Sequence, residues 1–260
     1  MKIAVIVPAA GESTRFGSKD KLAEDIGGRP LLLRTVEFFT KREDIAEIIV
    51  VGPKKSMDIF NDRFGPALSF HGVNIVSGGT TRAESVKNAL ETLSPDCDLV
   101  VVHDAARPAI TNQLLDRVLL ASKEFSAVAA ALPIQGTLKR VDKTPTSVAD
   151  KDAIADSILG DASQTKVEGF RIIETVDRMS MWEMQTPQCF HATIFQRAYD
   201  ADGISSCTDD AQVVEKFGDP VHVVAGDSRN IKVTTQADLQ LMKAILGVKG
   251  ATEKPAHKRF

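Results

Sequence analysis

Ile3-Ala4-Val5-Ile6-Val7-Pro8-Ala9-Ala10-Gly11-Glu12-Ser13-Thr14-Arg15-Phe16-Gly17-Ser18-Lys19-Asp20-Lys21 is the stretch that decides how this chain folds. Five apolar residues run to Pro8 without alternation, the pattern of a strand buried on both faces. Small residues follow at once, so a ligand can approach the backbone closely, and successive N–H groups there can form an anion-binding concavity. Arg15 and Lys21 bring two cations to the same loop. A triphosphate, with its several negative charges, requires this combination of backbone donors and dispersed cations. A plain strand-to-helix turn with solvated charges also fits these residues. The segment is neither a GxxxxGK[ST] loop nor a GxGxxG loop, which argues against an ATPase and against a dinucleotide-dependent oxidoreductase.

Working outward, similar β-branched runs recur at 47–51, 73–76, 99–102 and 127–132. Helical patterns lie between them at 30–40, 54–64, 81–93 and 111–125, with Pro30 suited to a first helical turn and Thr81-x-x-Glu84 in the form of a capping box. This alternation predicts an α/β fold, Rossmann-like, with a mostly parallel sheet and helices on both faces. Ligands of such folds sit at the carboxyl ends of the strands. After Pro133 the pattern breaks. Residues 136–175 are polar and turn-rich, and they read as a projecting arm. Helical patterns resume at 191–201, 209–217 and 235–246, with a strand near 221–224. The expected organisation is a single domain over 1–246 carrying that arm, followed by a flexible tail at 247–260.

Composition narrows the function classes. The 260 residues are 43% hydrophobic and 26% charged with a net charge of −3, which gives no global positive field for nucleic acid. Cys97, Cys189 and Cys207 show no ligand spacing and are odd in number, as reduced thiols of a cytoplasmic protein would be. No segment approaches the roughly 18 consecutive apolar residues of a membrane span. No nucleic-acid partner and no membrane partner are expected.

Two further loops fall where strands should end. Ser77-Gly78-Gly79-Thr80-Thr81-Arg82-Ala83-Glu84-Ser85 pairs glycines with a helix start, and it reads either as a ligand cradle or as a simple turn and cap. Val102-His103-Asp104-Ala105-Ala106-Arg107-Pro108 ends a buried strand in a carboxylate suited to a hard divalent ion. Arg107 there could hold a phosphate, or it could pair with Asp104 structurally. His103 could pack or hydrogen-bond rather than act as a base.

Taken in order, these segments resemble the 2-C-methyl-D-erythritol 4-phosphate cytidylyltransferases. Pro8-Ala9-Ala10-Gly11 with Arg15 and Lys21, Gly78-Gly79 with Arg82 and Ser85, and His103 to Pro108 carry the nucleotide half. Thr137-Leu138-Lys139-Arg140, Thr175-Val176-Asp177-Arg178, Thr186-Pro187-Gln188, Thr208-Asp209 and Asn230-Ile231-Lys232-Val233-Thr234 carry the rest. The resemblance implies CMP transfer from CTP to methylerythritol phosphate, with Mg²⁺, in a homodimer that shares its arms. It implies that Arg15 and Lys21 act on the triphosphate, and that Ala10, Gly11, Gly79, Ser85, Asp104 and Ala105 hold the nucleotide. Asp104 would also lie by the metal. Arg107, Thr137, Arg178, Thr186 and Lys232 would bind the second substrate, with Arg178 and Lys232 close to the chemistry.

From the residues alone, Lys232 could instead be an outward residue on an edge strand. Arg178 could be half of an exposed ion pair with Asp177, and Thr186-Pro187-Gln188 only an extended turn. Two departures from the family's pattern stand out. Thr80 takes a position where other members carry an acidic residue, and 139–175 is longer than the family's arm. That longer stretch could extend the arm, enlarge a dimer interface or cover the site. Ribitol-5-phosphate cytidylyltransferase is the nearest alternative activity, and a non-catalytic nucleotide-binding regulatory module is the alternative of another class.

Overall fold

A computed structural model describes residues 1–11, 16–17, 20–148 and 167–248. The tail expected at 247–260 and residues 149–166 of the long polar stretch fall wholly or mainly outside them. Two compact units result: Met1–Leu132 together with the chain from Met184 onward, and Pro133–Glu183.

The first unit is built on β1 (Ile3–Pro8), β2 (Ile45–Gly52), β3 (Asn74–Ser77), β4 (Leu99–Val102), β5 (Ala127–Pro133), β10 (Trp182–His191) and β11 (His222–Ala225). They form a seven-stranded sheet in the order β11-β5-β10-β4-β1-β2-β3. β1 pairs in parallel with both β2 and β4, and β2 with β3. β10 runs antiparallel to β4. The order reverses beside β1, since the chain moves from β1 to β2 and β3 on one side and then to β4 on the other. Such a switch point leaves a crevice beyond the carboxyl ends of the strands.

Alternate residues of each central strand enter different cores. Ile3, Val5 and Val7 join Val50 and Val101 on one face, while Ile6, Ile49, Val51, Val100 and Val102 pack on the other. Continuous apolar runs are required for that, because neither face of these strands meets water. Helices α1 (Leu31–Phe39), α2 (Met57–Phe70), α4 (Asn112–Ala121) and α7 (Gln236–Ile245) cover the first face. Helices α3 (Arg82–Leu90), α5 (Ala192–Asp200) and α6 (Asp210–Phe217) cover the second. Most elements lie where the sequence pattern put them. The exception in length is α2, which runs six residues past the expected stop at 64 and through Pro66. Full burial of Leu68 in the core offsets the hydrogen bond that Pro66 cannot make.

The second unit answers part of the question posed by the polar stretch. It contains two antiparallel ladders, β6 (Leu138–Val141) with β9 (Ile172–Val176) and β7 (Thr146–Val148) with β8 (Val167–Gly169). It extends from 133 to 183, wider than the 136–175 expected. Phe170, Ile172 and Ile173 are all at least half exposed on it.

Candidate active site

At the switch point lies a cavity of about 570 Å³, formed within the first unit. That volume suits a nucleotide-sized ligand. Ala10, Gly11, Lys21, Gly79, Ser85, Asp104, Ala105 and Lys232 all line it. The loops that follow β1, β3 and β4 and the segment after β11 thus meet here as the sheet topology requires. Arg15 lies outside the described residues.

The loop after β3 is shaped by close backbone approach. A Cβ on Gly78 would stand 2.8 Å from the Ala10 Cβ and 2.9 Å from the Gly52 carbonyl oxygen, so no larger residue fits where three strand ends converge. A Cβ on Gly79 would collide with Glu84 at 2.2 Å. Thr81 caps α3, its side chain accepting from the Glu84 amide at 3.0 Å. The Glu84 carboxylate accepts from the Thr80 amide at 2.6 Å and the Thr80 hydroxyl at 2.5 Å, one residue outside the box that the sequence suggested. Ser85 Oγ accepts from the Gly79 amide at 3.1 Å and donates to the Thr81 carbonyl at 2.8 Å.

Asp104 is the electrostatic centre of the loop after β4. It is 8% exposed, and its Oδ2 meets Arg107 Nε at 3.0 Å and Lys232 Nζ at 3.1 Å. Burial alone would raise its pKa, but Lys232, Arg107 and Arg82 hold the carboxyl well below the usual range. It is therefore an anion at any physiological pH. Among the described residues no three His, Cys, Asp or Glu side chains cluster as a protein cage for a metal. A lone ionised carboxylate still fits Mg²⁺, which takes one or two carboxylates and completes its shell with waters and substrate phosphates.

Two residues expected to touch the second substrate sit behind this carboxylate instead of lining the cavity. Arg107 is 8% exposed and also donates to the Asn230 carbonyl at 2.7 Å. Thr186 Oγ1 accepts from the Asp104 amide at 3.0 Å and meets His103 Nδ1 at 3.2 Å. Burial pushes the His103 imidazole down to about 4, so it is neutral. Its Nε2 faces the Arg107 carbonyl at 3.0 Å, which makes it the donor there and fixes the tautomer. The Thr186 hydroxyl then donates to Nδ1. His103 braces the loop.

Residues beyond those given individual roles above also take part. Thr35 donates from α1 to the Ala105 carbonyl at 2.8 Å. Asn230 donates to the Thr186 carbonyl at 2.7 Å, and Val233 to the Ala106 carbonyl at 2.9 Å, tying the Lys232 segment to the β4 loop. Lys54 and Lys55 line the cavity from the end of β2. Their position was available to sequence reasoning, because Gly52-Pro53 closes a strand on the same sheet edge. Arg82 lines the cavity too and forms two contacts with the fully buried Asp210, at 2.8 and 2.5 Å.

Thr137 and Arg178 belong to the second unit. Leu138 pairs with Val176 there, so Thr137 and Arg178 lie at the same end of the β6–β9 ladder, both exposed.

A crevice beyond parallel strand ends, lined with glycine backbone, lysines and one ionised carboxylate, belongs to a nucleotidyltransferase-like α/β enzyme. The model of the family described as IspD, 2-C-methyl-D-erythritol 4-phosphate cytidylyltransferase, matches residues 3–156 and 150–248. This chain belongs to that family. A 2-C-methyl-D-erythritol 4-phosphate cytidylyltransferase from Rhodopirellula baltica is 34% identical over 256 residues, covering 94% of both chains. One from Alkaliphilus metalliredigens is 35% identical over 252 residues, 94% of this chain and 93% of its own. The crystal structure of 4-diphosphocytidyl-2C-methyl-D-erythritol synthase from Anaerococcus prevotii superposes with a TM-score of 0.70 at 29% identity, covering 94% of this chain and 98% of that one. These relatives lend the ribitol phosphate alternative no support.

Proposed function

We propose that the chain transfers CMP from CTP to 2-C-methyl-D-erythritol 4-phosphate, releasing pyrophosphate and forming 4-diphosphocytidyl-2-C-methyl-D-erythritol. The observation that carries this reading is the shared cavity of Lys21, Asp104 and Lys232 within a member of this family. The substrate's phosphate oxygen attacks the α-phosphorus in line, and the bond to the β-phosphate oxygen breaks. A phosphate monoester has its second pKa near 6, so the nucleophile is already ionised and needs no general base. The neutral, enclosed His103 supports this, since both its ring nitrogens are already engaged, by the Arg107 carbonyl and the Thr186 hydroxyl.

Lys21, with Arg15, supplies positive charge to the triphosphate as it builds in the transition state. Lys232, fixed by Asp104, orients the incoming phosphate. Asp104 would hold Mg²⁺, which when bound spreads charge neutralisation across the phosphates. Arg107 and Thr186 would serve the second substrate by keeping Asp104 and the Lys232 segment in place. Thr137 and Arg178 are proposed to complete that subsite from the partner's arm in a homodimer, and the exposed apolar residues of the second unit suit such an interface. The test is pyrophosphate release with CTP and Mg²⁺, comparing methylerythritol phosphate with ribitol 5-phosphate. Turnover confined to the former is expected. Preference for the latter refutes the substrate assignment, and CTP binding without turnover of either favours a regulatory module.

A further inference from the structure

Between Ala225, where β11 ends, and Gln236, where α7 begins, the chain belongs to no helix or strand, so its backbone groups must find partners elsewhere. This segment has a distance to cover. β11 lies outside β5 and β10, and Lys232 has to reach Asp104 beside β4, so the chain crosses the ends of two strands. Gly226 makes the first step, its amide donating to the Ala131 carbonyl of β5 at 2.7 Å. Gln185 of β10 makes the second; it is buried and does not line the cavity. Its Nε2 donates to the Asp227 carbonyl at 3.1 Å, and its Oε1 accepts from the Asp227 amide at 3.2 Å.

One side chain thus takes both backbone groups of one residue, as a neighbouring strand would. An amide supplies the donor and the acceptor together, whereas a carboxylate would face the Asp227 carbonyl with lone pairs. The fit is close: a Cβ on Gly226 would stand 2.4 Å from Gln185 Oε1 and 3.1 Å from the Ala131 carbonyl oxygen. From Asp227 the connections run on to the lysine. The Asp227 carbonyl accepts a second hydrogen bond, from the Asn230 amide at 2.9 Å, which closes a turn, and its carboxylate takes the Arg229 amide at 2.8 Å. Asn230 donates to the carbonyl of Thr186, the residue next to Gln185, at 2.7 Å. Adjacent residues of β10 therefore hold both ends of the turn, and Lys232 follows directly, its Nζ 3.1 Å from Asp104 Oδ2.

We propose that Gln185 is a positioning residue for the second substrate: by fixing the turn Asp227–Asn230 it sets where Lys232 Nζ stands against Asp104 and the incoming phosphate. This rests on the reading of Lys232 given above. The ion pair with Asp104 holds the end of a long side chain, and the anchored backbone fixes its origin. Both are needed, because a lysine is a flexible point charge and holds a phosphate in line only if its stem starts from a defined place. Gln185 touches no substrate and acts through the turn alone.

The test compares the full chain with Gln185→Met, which keeps the length of the side chain and loses both hydrogen bonds. With CTP saturating, kcat/KM for methylerythritol phosphate should fall about ten- to a hundredfold, the range expected when a positioning group moves by about 1 Å. CTP affinity, read by calorimetry, should change by less than about threefold, well under one hydrogen bond. Gly226→Ala reaches the same displacement by another route, its Cβ pushing the Gln185 amide off Asp227, and should reproduce the loss. Hydrogen exchange over residues 228–233 should quicken about tenfold or more in both variants, with β1 and β4 unchanged. A fall shared equally by CTP affinity and kcat/KM, or faster exchange across the whole sheet, shows a structural role alone and overturns the inference, as does wild-type kcat/KM in Gln185→Met. Exchange is independent of turnover: a wild-type chain that transfers nothing to methylerythritol phosphate, yet loosens only over 228–233 when Gln185 is changed, supports the anchoring of Lys232 and refutes only the transferase reading.

Discussion

Replacing Arg82 with leucine should destabilise the protein by about 3–5 kcal/mol, because it strands a charge that has no route to water. Asp210, the first residue of α6, is fully buried; Arg82, the first of α3, contacts both its carboxylate oxygens, and Tyr199 donates to Oδ1 at 2.6 Å. Burial works against the charge on Arg82, but Asp210 more than offsets it and keeps the guanidinium protonated. The two partners are not equivalent. The Arg82 side chain is 27% exposed and faces the cavity, so it can be rehydrated when its partner is neutralised, whereas Asp210 cannot. Asp210→Asn should therefore cost less, about 1–3 kcal/mol, and its amide oxygen still accepts from Tyr199. The double variant Arg82→Leu with Asp210→Leu should recover much of the loss, since apolar replacement of a buried pair is often close to neutral. Thermal unfolding measures this directly, with a midpoint fall of roughly 6–20 °C for Arg82→Leu in a chain of this size. A loss below about 1 kcal/mol, or a double variant no more stable than Arg82→Leu, would refute the view that the pair is a desolvated clamp. The clamp joins the start of α3 to the start of α6, so the Gly79–Ser85 loop should loosen with it and CTP affinity should drop.

Lys21→Ala should lose on the order of 10²–10³-fold in turnover with CTP affinity changed less than tenfold, if its charge acts in the transition state; steady-state kinetics beside direct CTP binding separate the two. In the proposed homodimer, mixing inactive Lys21→Ala and Arg178→Ala variants should restore about a quarter of wild-type activity after subunit exchange, because half the dimers then hold one intact site; no recovery despite proven exchange would count against a shared site. Burial pushes the Cys189 thiol up to about 12, whereas an unfolded thiol titrates near its ordinary value of about 8.5. The fold retains a proton that the unfolded chain sheds, so this contribution is intact below about pH 8.5 and is lost as pH rises toward 12, reaching about 2 kcal/mol at pH 10; Cys189→Ala should flatten the fall in stability over that window in urea titrations.

The parallel half of the sheet was legible because burial on both faces forces continuous apolar runs, and β1, β2 and β4 carry them. The site was legible for the same reason: with the strands placed, Gly11, Gly79 and Asp104 had to share one edge. What escaped was the strand pattern of the polar stretch that follows Pro133. Its ladders are short and exposed, and exposed strands such as Leu138–Val141 need no apolar face to mark them. β10 escaped for the opposite reason. It is buried, yet Gln185, Thr186 and Gln188 are polar and Pro187 lacks a donor, so its sequence resembles a turn.

The polar residues of β10 have a use that explains their place in a core. Gln188 accepts from the Ala211 amide at 3.0 Å and donates to Asp209 at 3.0 Å, fixing the start of α6. Thr186 takes the Asp104 amide, and its carbonyl takes Asn230. One antiparallel strand thus holds the cap of one helix, the carboxylate loop and the lysine segment in register. A fully apolar strand would satisfy the core equally well but would leave those loop amides buried without partners, at about 1–3 kcal/mol each. The residues that obscure the strand in the sequence are therefore the ones that assemble the site. Their departure from the apolar pattern marks where the fold gives way to chemistry.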